Sequence, residues 1–144
     1  MTYRIDGLDP QVAQRDDAQP VTVTARPGFP CRVTLEDAEV GETVWLFNHV
    51  SHDVDTPYRS AYAIYVRDGV QDAASYTDQV PPVMAGRPLG LRGFDAQGML
   101  RNASLALPGE ADAKIRALLA QEEIATIHAH NAAHGCFVAK IVRD

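Results

Sequence analysis

Apolar residues alternate with polar ones along most of this chain and fall at helical spacing in one stretch only. Period-two patterning places side chains on opposite faces of an extended strand, so the pattern calls for a sheet whose strands are each half buried. Val21 and Val23 alternate with threonines, and Cys31, Val33 and Leu35 repeat the pattern after the bend Pro27-Gly28-Phe29-Pro30. Val44, Trp45, Leu46 and Phe47 form a nearly continuous apolar run, consistent with a central strand over Thr43–Asn48, and Tyr62–Arg67 reads as a further strand. Leu89–Phe94 and Met99–Leu107 flank Asp95-Ala96-Gln97-Gly98, a hairpin turn. Ile124–His130 and Cys136–Val142 pair across the tight loop Asn131–Gly135. The helical exception covers about residues 110–120, where Ala111, Ile115, Leu118 and Leu119 share one stripe and Lys114 and Arg116 lie off it. Residues 49–60 and 68–88 read as loops, the second long enough to serve as a binding loop or lid. The fold class is therefore α+β: a mostly antiparallel sheet, or a partly closed barrel, with one main helix.

The 144 residues suit a single domain, with residues 1–20 a loosely structured lead-in. Nearly half the residues are apolar (46%), enough for a core that needs no disulfide or metal staple. A net charge of −6 argues against nucleic acid and anionic membrane as partners, because counterion release needs a basic surface. No run approaches a membrane span, and the start lacks a basic leader before an apolar stretch. A cytoplasmic location is the expectation, with Cys31 and Cys136 as free thiols.

The chemistry-bearing residues gather in two windows. All five histidines lie there: His49 and His52 in the first, His128, His130 and His134 in the second. His128 and His130, two apart on a predicted strand, project from the same face, and the return strand brings Cys136 near them. One reading is a metal site, zinc or another divalent ion, in which His128 and His130 are joined by Cys136, Cys31 or His52. A second is thiol chemistry: His128 or His130 acts on Cys136 while Asn131 orients the imidazole. A third leaves the histidines as a hydrogen-bonded strand face and Cys136 as a small hydrophobe. In the first window, Pro57 stiffens the loop before Tyr58 and Arg59, and Arg59 could clamp an anion through its fork of donors, with His52 nearby. Arg92 and Asp95 read as an ion pair.

Three segments resemble the bacterial domain of unknown function 1203 family. They are Pro27–Ala38 with Gly41-Glu42, then His52–Arg59 with Ile64–Arg67, then Ile127–Asn131 with Gly135–Phe137. Tyr62-Ala63 departs from a Gly-Pro pair usual in that family, and His134 lies outside its motif. The resemblance implies that Cys31, Arg59, His128, His130, Asn131 and Cys136 belong to one recurring pattern, and it implies no activity. Cupins also carry His-x-His on a strand, but their following glutamate is missing here.

The expectation is a polar pocket on the histidine face. His130, His128, Cys136 and Asn131 would do the chemistry there, and Arg59, Tyr58 and His52 would bind a small anionic molecule. On that expectation His130→Ala removes activity and spares stability. The competing class is a ligand-binding or homo-oligomer-forming module in which the same cluster is structural.

Overall fold

A computed structural model describes residues 1–144. Nine strands form two antiparallel sheets. They are β1 (Tyr3–Asp6), β2 (Gln19–Thr22), β3 (Thr43–His52), β4 (Ser60–Arg67), β5 (Ser75–Thr77), β6 (Leu89–Phe94), β7 (Leu100–Ala106), β8 (Thr126–Asn131) and β9 (Phe137–Arg143). The larger sheet runs β5-β1-β9-β8-β6-β7 and the smaller β2-β3-β4, and the strands do not close into a barrel. A short helix α1 (Pro82–Ala85) and the main helix α2 (Ala111–Leu119) complete the architecture. No helix is long and apolar enough to cross a membrane.

The larger sheet has two unlike faces. Tyr3, Ile5, Leu89, Leu91, Ile127, Ala129 and Ile141 point to one side, where Ile115, Leu118 and Leu119 of α2 and Val83 and Met84 of α1 cover them in the main core. The other side carries His128, His130, Phe94 and Phe137, and the smaller sheet covers it. Ring contacts cross between the sheets from His52 to His128, from Tyr62 to His130 and from His49 to Phe137. A second apolar cluster (Cys31, Val33, Phe47, Ile64 and Val66) belongs to the smaller sheet. The molecule is thus layered as helix, sheet and sheet.

Three expectations change. The N-terminal segment is no loose lead-in: β1 pairs with both β5 and β9, because Tyr3 and Ile5 are fully buried. Cys31, Val33 and Leu35 alternate yet form turns, with Leu35 in the left-handed region at φ 56°. Their burial comes from packing against two different clusters rather than from one pleated face. Residues 49–52 extend β3, and residues 68–88 contain β5 and α1.

The stripe on α2 supports a stability prediction. Leu118 is almost completely buried, so Leu118→Ala should cost roughly 2–5 kcal/mol in chemical denaturation. A loss below about 1 kcal/mol would show that α2 does not seal the core.

Candidate functional site

Cross-strand register builds the histidine face. His128 stands opposite Arg92 of β6 and Lys140 of β9, and His130 stands opposite Gly90 and Phe137. Both rings are 3% exposed. His130 Nδ1 donates to the Gly135 carbonyl at 2.9 Å, a bond that fixes its tautomer and ties down the loop 131–135. His52 Nε2 donates to the Gly98 carbonyl at 3.0 Å. Gly98 sits at φ 87°, where a Cβ would also strike Val54, so that turn needs glycine. His128 makes no hydrogen bond. Its ring is held by edge contacts, with His52 at 4.9 Å, Phe94 at 5.1 Å and Phe137 at 5.3 Å between centroids.

Burial suppresses protonation here. It lowers His128 to about 3, helped by the charges of His52, His130, Lys140 and Arg92. It lowers His130 to about 4, against the Gly135 bond and with Arg92 and Arg32. His49 is lowered too, by burial and by Arg15. At neutral pH the His128 and His130 rings are uncharged. Beside it, Ser51, His52, Asp53, His128 and Lys140 line a cleft of about 280 Å³. The Ser51 hydroxyl there is buried without a partner.

The loop that His130 anchors opens onto a different place. Arg32, Asn131, His134 and Cys136, with Gly28, Pro30, Leu46, Ala63 and Tyr65, line a cavity of about 330 Å³. Arg32 is 3% exposed, yet no carboxylate meets it. Its Nε donates to the Phe137 carbonyl at 2.8 Å and its Nη1 to the Pro30 carbonyl at 2.7 Å, leaving Nη2 uncommitted. Burial pulls its pKa down to about 10, opposed in part by Cys136, so it remains a cation at neutral pH. The Asn131 Oδ1 position is buried and unpartnered. Cys136 is partly exposed, whereas Cys31 is buried with its sulfur accepting from the Thr34 and Arg67 amides. Next to this cavity Arg87 pairs with Asp37, and its charge and hydrogen bonds outweigh burial and hold that carboxyl below the usual range.

The expected site residues therefore divide. His128, His130 and His52 come together, while Asn131 and Cys136 belong to the Arg32 cavity. Arg59 joins neither: its side chain is 56% exposed and pairs with Asp53. Tyr58 is exposed and lies 6.4 Å from Phe94 by ring centroids, away from the Arg32 cavity. No three of the His, Cys, Asp and Glu side chains converge as a metal site requires, so His128 and His130 lack a third ligand. Arg92 donates to the Tyr62 hydroxyl, and Asp95 pairs with Arg101 instead. Arg32 is the residue that sequence reasoning missed. It lies between Cys31 and Val33 in an alternating run, where a strand would have turned it to solvent. Burial also reverses the expectation for His130→Ala. Losing that bond leaves the Gly135 carbonyl unpaired and should cost about 1–3 kcal/mol.

Residues 28–143 match the family model described as a protein of unknown function (DUF1203). No curated protein and no solved structure matches the chain.

The neutral rings make stability depend on pH. In the unfolded chain histidines titrate near 6.5, so below that pH the unfolded state binds more protons than the fold, where His128 and His130 stay neutral to about 3 and about 4. Their contribution is complete above about 6.5 and falls as pH drops, by roughly 1.4 kcal/mol per pH unit for each proton. Denaturant melts between pH 5 and 6.5 should show this slope. His128→Phe, which keeps a ring and removes no hydrogen bond, should reduce it by up to one proton. An unchanged slope would mean that His128 is protonated in the fold.

Proposed function

For this chain, which belongs to the family of proteins of unknown function DUF1203, we propose that the cavity beside Arg32 binds a small anionic molecule next to the thiol of Cys136. One observation carries the reading: a guanidinium buried to 3% exposure whose only partners are two neutral carbonyls. A buried charge without a countercharge is costly, and an anion on Nη2 would offset that cost through charge-assisted bonds. Asn131 Oδ1, an unpartnered acceptor in the same wall, would take a hydrogen bond from a hydroxyl or N–H of the ligand.

Cys136 is the nucleophile candidate, the thiol in the wall of that cavity. His128 and His130 are poor general bases at neutral pH, since their conjugate acids are too strong. Their role is positional: His130 holds the loop that presents Asn131 and Cys136. The reading takes both cysteines as reduced, as in a cytoplasm, in keeping with their unpaired state.

Alkylation tests it. Iodoacetate, an anion, should modify Cys136 faster relative to iodoacetamide than it does a free thiol, and millimolar phosphate or acetate should slow both reagents. Arg32→Met should reduce the iodoacetate preference about tenfold, the loss of roughly one charge-assisted bond. Cys136→Ser identifies the thiol being read. If Arg32→Met does not fold, competition between acetate and iodoacetate in the unaltered protein decides. No competition and no preference would overturn the reading.

A further inference from the structure

Resting on that reading, we infer that the ligand is a monocarboxylate with an apolar tail, its head on Arg32 and its tail along the adjoining hollow. The Arg32 cavity does not stand alone. A second hollow, of about 480 Å³, shares Gly28, Pro30, Asn131 and His134 with it, so the two adjoin. Beyond the shared residues, Pro88, Ala132 and Ala133 give it an apolar wall.

Charge sets the head group. Arg87 reaches the second hollow, but its donors go to both oxygens of Asp37 and to the Val83 carbonyl. Of the two arginines in these walls, only Arg32 carries a charge that no carboxylate offsets. A single negative charge balances it, whereas a dianion would leave excess negative charge near Asp37. A carboxylate oxygen can accept from Arg32 Nη2, the one guanidinium nitrogen that donates to no carbonyl. The rest of the ligand meets proline rings and alanine methyls, which reward hydrocarbon.

The test is a chain-length series of acetate, butyrate, hexanoate and octanoate. It is read as protection of Cys136 from iodoacetamide and, independently, by calorimetry. Half-protecting concentrations should fall about fourfold for each methylene that becomes buried, levelling off when the hollow is full. Hexanamide should bind more weakly than hexanoate. Ala133→Asn, an uncharged polar change at an exposed position, should flatten the series, so that octanoate gains little over acetate. Inorganic phosphate should protect less well than hexanoate. Acetate that binds with no gain from longer chains, or phosphate that outcompetes hexanoate, would overturn this inference and leave the anion cavity standing. Failure of every anion to protect Cys136 would remove both.

Discussion

A single residue, Arg32, hydrogen-bonds to both sheets. The Arg32 side chain donates to Phe137 at the start of β9, in the larger sheet, and to Pro30 in its own loop. Its backbone amide donates to Tyr65 of β4, in the smaller sheet, and its carbonyl accepts from Leu8. The segments around Leu8, Pro30, Tyr65 and Phe137 thus meet at one residue, whose guanidinium water scarcely reaches. Aliphatic packing could join two sheets at lower desolvation cost, since buried charges stabilise weakly unless well paired. An arginine here brings directional bonds to two fixed carbonyls and a positive charge left facing a cavity. Architecture and proposed binding share one side chain.

The histidine layer is the second unusual feature of the interior. A sheet face closed by another sheet is normally aliphatic or aromatic, and here imidazoles fill positions that phenyl rings would suit. His128 meets His52, Phe94 and Phe137 edge-on, as His130 meets Phe137, at 4.9–6.0 Å between centroids, and His52 lies tilted against Phe94 at 4.0 Å. Gly90, opposite His130, leaves open space where a side chain would stand. Hydrogen bonds from His130 and His52 to Gly135 and Gly98 do something phenyl rings could not: they fasten two turns to the layer.

Local patterning made the strands readable and left their stacking hidden. The hairpin from Leu89 to Ala106 follows from alternation on both sides of a turn, and α2 from the spacing of Ala111, Ile115 and Leu118. The shared face of His128 and His130 also follows from strand geometry. What covers that face does not, because Tyr62, His49 and His52 arrive from strands about seventy residues away, and no local pattern records that contact. Cys31, Val33 and Leu35 misled for a related reason: alternation reports burial on alternate residues, and turns packed between two clusters produce it as well as strands do. Among eleven arginines, sequence could not tell that Arg59 meets a carboxylate while Arg32 meets none.

The position of β9 bears on how the molecule is made. The strand nearest the C-terminal end lies inside the larger sheet, between β1 and β8, so β1 has only the three-residue β5 beside it until residues 137–143 exist. A nascent chain that has left the ribosome up to residue 130 would still hold Tyr3 and Ile5 away from the neighbour that buries them. Assembly of the larger sheet therefore depends on partners more than 130 residues apart in sequence, a long loop to close before the pairing rewards it.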